Sequence, residues 1–259
     1  MEETVKAINQ LEKKNDGLER FSFSKLSAFH TCRYGYKLTY IDHCKGEDNA
    51  FALYGSFVHS LMEKYAKKEI DLWELPFKFE EDFDKEVNME FPVSQFCKNM
   101  KELYYKQGLS FLSGFSGYDK YKILEVESQF EIKIDDWAFT GIMDLLYEDE
   151  NGNLILLDYK SKSGFKNKEE KHKYARQLFL YSKYIREKYH KTPDKLVFWA
   201  FRKQVQIEIP FTEDDYLEAW VWAKDTVKKI RECKDFYPSC DEFYGNNLCN
   251  HRNYCKEKI

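Results

Sequence analysis

The segment Leu154–Lys160 constrains the fold most, because four aliphatic residues are followed there by Asp158, Tyr159 and Lys160. A short unbroken apolar run is typical of a strand that is buried on both faces of a mixed or parallel sheet. Side chains alternate along a strand, so we expect Asp158 and Lys160 to share one face. A carboxylate and an ammonium group at the end of such a strand indicate either a site for metal-bound water or an ordinary surface ion pair.

A second carboxylate lies in the apolar segment just before this one. Asp144 follows Gly141 by three residues, and an Asn-Gly pair then predicts a hairpin turn into Leu154–Lys160. The hairpin would place Asp144 and Asp158 on neighbouring strands. Two converging carboxylates suit a hard cation such as Mg²⁺ or Mn²⁺, whose remaining ligands would be water and phosphate oxygens.

Two helical segments carry further candidates. One contains Gly55 and His59 beside an apolar stripe, and another presents Gln177 and Tyr181 four residues apart on one face. Each of these side chains would serve equally well as an ordinary hydrogen-bonded or core residue. Near the N-terminus, Ser24 is the expected N-cap of a further helix.

Composition places the chain among globular proteins and limits its partners. A hydrophobic fraction of 43% argues against disorder, and a net charge of −4 means that any nucleic-acid-binding surface must be local. The local candidates are Lys162, Lys166 and Lys168, for which a solvated helix face is the alternative. The sequence shows no signal region and no stretch long enough to span a membrane, so we expect a cytoplasmic protein.

The C-terminal tail contains three of the seven cysteines. Cys240, Cys249 and Cys255 lie in a segment without helical or strand periodicity, and Cys32 could join them as a fourth thiol. In a reducing compartment such clustering indicates a metal site more often than disulfides, and His251 could replace one thiol in a zinc site. The alternative is a set of unrelated free cysteines.

The periodicity of the whole chain predicts an α/β fold. We expect a single domain over residues 1–259, in which residues 1–117 form a helical N-terminal part. Residues 118–233 switch between strand and helix patterns and form the core, beginning with a three-strand meander. Residues 234–259 form the cysteine-rich tail, which would close on Cys32.

Four short motifs occur in a fixed order along these elements. They are Gly55-Ser56-Phe57-Val58-His59, Gly141-Ile142-Met143-Asp144, Asp158-Tyr159-Lys160 and Gln177-Leu178-Phe179-Leu180-Tyr181. In this order they resemble the PD-(D/E)XK nuclease superfamily, specifically its RecB-like branch with AddB-like and CRISPR-associated iron–sulfur exonucleases. The resemblance implies a restriction-endonuclease-like mixed sheet flanked by helices.

The resemblance also implies roles for individual residues. It assigns Lys160 to the attacking water, and Gln177 and Tyr181 to the wall of the active site and the nucleic-acid path. The implied metal ligands are His59, Asp144, Asp158 and the carbonyl group of Tyr159. The implied ligands of a 4Fe–4S cluster are Cys32, Cys240, Cys249 and Cys255, with Cys240 serving in place of the family's usual cysteine at position 246.

These implications define the expected function. We expect a metal-dependent DNA exonuclease of recombination, repair or end processing, acting on DNA with a free end or a single strand. A helicase or a single-strand annealing protein is the expected partner. Two alternatives remain at this point: a non-catalytic nucleic-acid-binding module with a structural iron–sulfur or zinc site, and a redox protein in which Asp158 and Lys160 are incidental.

Overall fold

The structure is a computed structural model that describes residues 16–93 and 97–255. The strands in these ranges are β1 (Glu19–Ser22), β2 (Lys122–Ile134), β3 (Trp137–Glu148), β4 (Leu154–Lys160), β5 (Lys195–Ala200) and β6 (Val205–Ile209). The helices are α1 (Phe23–Thr31), α2 (Arg33–Tyr40), α3 (Ala50–Ala66), α4 (Glu74–Glu86), α5 (Met100–Gly114), α6 (Lys168–Tyr189), α7 (Glu213–Glu232), α8 (Glu242–Asn247) and α9 (Arg252–Cys255). In this part of the chain, no helix is both long and apolar enough to cross a membrane.

The strands form one mixed sheet. Its order is β1-β3-β4-β5-β6, and β2 also pairs with β3. The pairs β1–β3 and β4–β5 are parallel, whereas β3–β4 and β5–β6 are antiparallel. Helices flank this sheet, so the predicted α/β, restriction-endonuclease-like fold class is confirmed. The meander β2-β3-β4 is also present as predicted.

The central strand β4 matches its sequence pattern closely. Every residue from Leu154 to Tyr159 is buried, and only Lys160 at the end is partly exposed. The strand lies between β3 and β5, and its aliphatic side chains are buried on both faces of the sheet. This packing fixes the position at which the two charged residues leave the core.

The chain groups into two compact units. The larger unit joins Ala50–Phe130 and Gly141–Tyr216. The smaller unit joins Glu131–Thr140, Leu217–Ile259 and Met1–Asn49, as far as these residues are described. The predicted single domain, with its divisions after residues 117 and 233, stays a prediction.

The larger unit has a core rich in aromatic side chains from α3, α4, α5 and β5. Its fully buried aromatic residues include Tyr54, Phe79, Phe111 and Phe201. Rings stack and meet edge to face, as between Phe57 and Phe79, whose centroids lie 5.4 Å apart. Such large contact areas hold the helices firmly against the face of β4 that carries Tyr159.

The N-terminal helix differs from its prediction. Ser22, rather than Ser24, is the N-cap of α1, and its hydroxyl accepts a hydrogen bond from the backbone N–H of Lys25 at 3.2 Å. The helix then ends at Cys32, whose backbone is extended and whose sulfur caps α2 by accepting from the N–H of Gly35. Because α1 begins at Phe23, Ser24 lies inside its first turn and cannot be the N-cap.

Candidate active site

The antiparallel register of β3 and β4 brings two carboxylates together. Leu145 pairs with Leu157, so Asp144 and Asp158 are neighbours across the two strands. Asp158 is buried, and its Oδ2 atom lies 2.6 Å from the Nζ atom of Lys160 on the same strand face. The predicted convergence of the acids and the lysine therefore follows from strand alternation and one hairpin.

A glutamine from α6 closes a ring with this ion pair. Lys160 donates a hydrogen bond of 2.9 Å to Oε1 of Gln177, and Nε2 of Gln177 donates one of 2.7 Å to Oδ1 of Asp158. The same Nε2 atom lies 3.3 Å from the hydroxyl group of Tyr181. Oδ1 of Asp158 is thus hydrogen-bonded, whereas its buried Oδ2 contacts Lys160 only as an ion pair and accepts no hydrogen bond. The ammonium group of Lys160 is fixed at the strand end.

His59 on α3 approaches the other carboxylate. Its Nε2 atom lies 3.0 Å from the carbonyl oxygen of Tyr159, which can only accept, so Nε2 carries the proton. Its Nδ1 atom lies 3.5 Å from Oδ2 of Asp144. Burial lowers the pKa of His59 to about 4, which makes Nδ1 a lone-pair donor at neutral pH.

The Oδ2 atom of Asp144 faces this lone pair, and it carries negative charge when the carboxyl group is ionised. Its Oδ2 accepts a 2.7 Å hydrogen bond from the backbone N–H of Tyr159. Burial and the neighbouring carboxylate of Asp158 raise the pKa of Asp144 well above its ordinary value. A nitrogen lone pair and a carboxylate 3.5 Å apart are stable together only with a proton or a cation between them.

A third acid completes this arrangement, and sequence reasoning missed it. The ligand atoms of His59, Glu127 and Asp144 all lie within 4.8 Å of one another. Imidazole nitrogen and carboxylate oxygen form a donor set that fits a divalent cation such as Mn²⁺. Burial raises the pKa of Glu127 to about 7, and the carboxylates of Glu63 and Asp158 add to the shift. In the sequence, Glu127 stands in an alternating polar pattern that resembles an exposed strand face.

Two motif glycines let these parts approach closely. A Cβ atom on Gly141 would lie 2.4 Å from a ring carbon of Phe130 and 2.9 Å from one of Tyr181. A Cβ atom on Gly55 would lie 3.0 Å from the hydroxyl oxygen of Ser161, directly after the lysine of the ion pair. Glycine at both positions therefore sets how near α6 and α3 come to the ends of β3 and β4.

The sequence profile of the PD-(D/E)XK nuclease superfamily matches residues 20–256. The chain belongs to this superfamily. Its fold is similar to the crystal structure of a candidate exonuclease from Eubacterium rectale, with a TM-score of 0.55 and 14% identity over 91% of this chain and 88% of that one. The crystal structure of SSO0001 gives a TM-score of 0.34 and 17% identity over 79% of this chain and 98% of that one, too low a score to carry an argument. No curated protein matches the sequence.

Three lysines were predicted to guide nucleic acid in this PD-(D/E)XK protein. Lys162 is engaged internally, because its Nζ atom lies 2.6 Å from Oε1 of Glu170 and 4.0 Å from the ring centroid of Tyr174. Lys166 and Lys168 are exposed at the start of α6. Of the three, these two have side chains that a strand of nucleic acid could reach without breaking a buried contact.

The four cysteines of the predicted cluster all lie in the smaller unit of the PD-(D/E)XK protein. Cys32 and Cys240 share a thiol hydrogen bond, and burial together with Cys32 raises the pKa of Cys240 to about 11. Cys249 and Cys255 are buried, and the sulfur of Cys249 accepts from the N–H of His251 at 3.4 Å. In residues 16–93 and 97–255, no three sulfur atoms lie within 4.8 Å of one another.

His251, the candidate replacement for one thiol, uses one ring nitrogen in a polar contact. Its Nε2 atom lies 2.8 Å from the hydroxyl oxygen of Thr39, whereas its buried Nδ1 atom has no hydrogen-bond partner, so the zinc alternative stays a prediction. The chain around it is also more ordered than its sequence pattern indicated, because α8 and α9 frame Cys249. Segments of six and four residues are too short to produce a helical period that sequence inspection can detect.

Proposed function

We propose that the protein is a metal-dependent deoxyribonuclease that hydrolyses phosphodiester bonds as an exonuclease. The observation that carries this proposal is the set of two neighbouring carboxylates, Asp144 and Asp158, with Lys160 held beside them by Gln177. A binding function alone gives no reason to retain three charges at a buried strand end, where each costs desolvation energy. The superfamily implies a nucleic-acid substrate, and the similar Eubacterium rectale structure is described as an exonuclease.

Each residue of the site has a distinct task in this reaction. A divalent cation, when bound, supplies the positive charge that offsets the charge developing on the phosphate group. Asp144 and His59 are placed to hold it, and Asp158 orients Lys160. The ammonium group of Lys160 donates a hydrogen bond to the attacking water and fixes its direction. Gln177 keeps that ammonium group from swinging into solvent.

The charge distribution fits DNA as the substrate despite the net charge of −4. Positive charge is needed only where the backbone passes, and a bound cation provides it at the reacting phosphate. The exposed Lys166 and Lys168 would guide the strand toward the site, whereas Lys162 would position the ring of Tyr174. DNA ends in recombination or repair, delivered by a helicase or a single-strand annealing protein, are the proposed setting.

We also propose a 4Fe–4S cluster on Cys32, Cys240, Cys249 and Cys255. Four sulfurs around a single zinc ion would stand about 3.8 Å apart, given Zn–S bonds of about 2.3 Å. The thiols of the described chain are not drawn together to that degree, and a larger inorganic cluster accommodates wider spacing. Visible absorbance and iron analysis of anaerobically purified protein distinguish the cluster from zinc, which is a d¹⁰ ion.

The nuclease proposal is tested with end-labelled single- and double-stranded DNA. Anaerobically purified protein is incubated with Mn²⁺, Mg²⁺ or a chelator, beside Asp158→Asn and the surface control Glu148→Gln. We expect metal-dependent cleavage that falls about 10³-fold in Asp158→Asn and stays unchanged in the control. The product ladder gives the polarity. Folded, metal-loaded wild type that leaves both substrates intact would instead favour the non-catalytic binding module.

A further inference from the structure

Strand β2 has an irregularity at Glu127. Glu125 and Phe130 both contact Tyr184 on α6, the first through its carboxylate at 3.3 Å and the second by ring stacking at 4.7 Å. Residues five positions apart face opposite sides of a regular strand, so the alternation is interrupted between them. Glu127 lies in this interval and has a φ of +45°, which side chains other than glycine rarely adopt.

The irregularity directs Glu127 to the lone pair of His59. In the described chain, the ligand atoms that lie within 4.8 Å of one another belong to His59, Glu127 and Asp144. Nδ1 of His59 and Oδ2 of Asp144 both lack a proton of their own when the carboxylate is ionised. The carboxylate of Glu127 is therefore the third electron-pair donor around one point.

Asp158 takes part in the ion pair and still has an oxygen open to a cation. One of its oxygens accepts from Gln177 at 2.7 Å, and the other lies 2.6 Å from Nζ of Lys160 but is buried without a hydrogen bond. Each of these oxygens has a second lone pair. Glu127 therefore adds a donor to the cation site and breaks none of the existing polar contacts.

We propose that Glu127 is a ligand of the divalent cation in the DNA-free protein, together with His59 and Asp144. This inference rests on the proposed function, and it adds to the cation site a residue on β2 that none of the four sequence motifs contains. Because one donor is an imidazole nitrogen, the site binds Mn²⁺ more tightly than Mg²⁺.

The test measures Mn²⁺ binding without DNA, by the loss of the electron paramagnetic resonance signal of free Mn²⁺ on titration with protein. Wild type is compared with Glu127→Gln, Asp144→Asn, Asp158→Asn and the control Glu148→Gln. Glu148 pairs with Lys122 on the surface. It lies four positions after Asp144 on β3, which is about 13 Å along the strand. The control therefore removes one carboxylate without touching the site.

We expect Glu127→Gln and Asp144→Asn each to raise the dissociation constant for Mn²⁺ about tenfold or more. Asp158→Asn, which removes the carboxylate next to Asp144, should raise it as well, and Glu148→Gln should not change it. Glu127→Gly serves as the second variant, because it removes the carboxylate and accepts the positive φ without strain. It should lose Mn²⁺ binding to the same extent while its melting temperature is not lowered.

Wild-type affinity in Glu127→Gln would overturn the ligand assignment. DNA cleavage by the same samples separates this result from a failure of the nuclease proposal. A wild type that cleaves DNA while Glu127→Gln binds Mn²⁺ normally rejects only the role of Glu127. A wild type that binds Mn²⁺ through Glu127 but cleaves no DNA rejects only the nuclease.

Discussion

The proposed active site and the cysteine cluster are built in different ways. The active-site residues come from α3, β2, β3, β4 and the 22-residue helix α6, and Lys160, Gln177 and Asp158 hold one another in a ring. The cysteines come from the junction of α1 and α2 and from a tail whose helices have six and four residues. One site is shaped by long elements around an aromatic core, and the other by short ones.

This difference predicts what each proposed metal does. Helices as short as α8 and α9 are unstable alone, so the proposed cluster would hold the conformation of the tail. Strands and hydrogen bonds hold the active-site residues, so the proposed cation would serve chemistry rather than folding. Removing the two metals should therefore have different consequences, and the predictions below test that contrast from the largest effect to the smallest.

The largest expected effect is on cleavage by Asp144→Asn. The substitution keeps the acceptor for the N–H of Tyr159 but removes a charge from the cation site, so cleavage should fall about 10³-fold or more. The metal-free variant should also be more stable than metal-free wild type at pH 7.5, by about 1 kcal/mol. The reason is that burial and Asp158 raise the pKa of Asp144, so ionising it opposes folding.

The sign of this stability effect can be checked by pH. A carboxyl group whose pKa is raised on folding contributes stability that is present below its unfolded pKa and is lost as pH rises through the folded value. The advantage of Asp144→Asn should therefore disappear as the pH falls below about 4. Chemical denaturation with chelator present measures it. An advantage that persists in acid, or a variant that cleaves DNA normally, would contradict the assignment.

The second prediction concerns Cys249→Ser, which should remove the cluster absorbance and loosen the tail. Loss of a structural metal site costs several kcal/mol, so amide hydrogen exchange in α8 and α9 should become much faster. Exchange in β4 should change little, because its residues are held by the sheet. Cys97→Ser, outside the cluster, is the matched control. Equal protection of α8 and α9 with and without the cluster would remove the contrast between the two sites.

The third prediction is a packing defect at Gly141→Ala. The added methyl group would lie 2.4 Å from the ring of Phe130, so the free energy of unfolding should fall by about 1–3 kcal/mol. Cleavage should slow because the neighbouring ring of Tyr181, which contacts Gln177, is displaced. In a protein that already carries Phe130→Leu, adding Gly141→Ala should lower stability and cleavage less than it does in wild type. Purely additive effects would show that the ring is not the cause.

The sequence predicted the larger unit better than the smaller one, for physical reasons. The bounds of β4 are those expected, because a continuous apolar run is a strong signal, and Gln177 and Tyr181 lie on one helix, α6, as expected. The convergence of Asp144 and Asp158 follows from one hairpin and strand alternation. Strand β1, with four residues, and the short helices of the tail leave no such period, so sequence inspection did not find them.

Glu127 shows a different limit of sequence reasoning. Its place in the site depends on a positive φ. This is a property of the folded backbone, and a glutamate in the sequence does not indicate it. Its neighbour Glu125 occupies the same alternating pattern and yet lies away from the cation site, bound by Tyr189 at 2.6 Å and Lys188 at 2.8 Å. Two identical residues two positions apart therefore have unrelated tasks, one in the site and one in packing.

The last and smallest prediction uses this pair. Glu125→Gln weakens charge-assisted hydrogen bonds to α6 and should lower the free energy of unfolding by about 1–2 kcal/mol, while Mn²⁺ affinity changes less than about threefold. Burial alone would raise the pKa of Glu125, but the hydrogen bonds from Lys188, Ser128 and Tyr189 together outweigh it and the pKa is lowered. Its contribution is therefore present above about pH 4.3 and is lost as the pH falls further. Glu127→Gln should show the opposite profile, weak Mn²⁺ binding without loss of stability. If Glu125→Gln and Glu127→Gln had the same Mn²⁺ affinity and the same stability, β2 would carry no functional carboxylate.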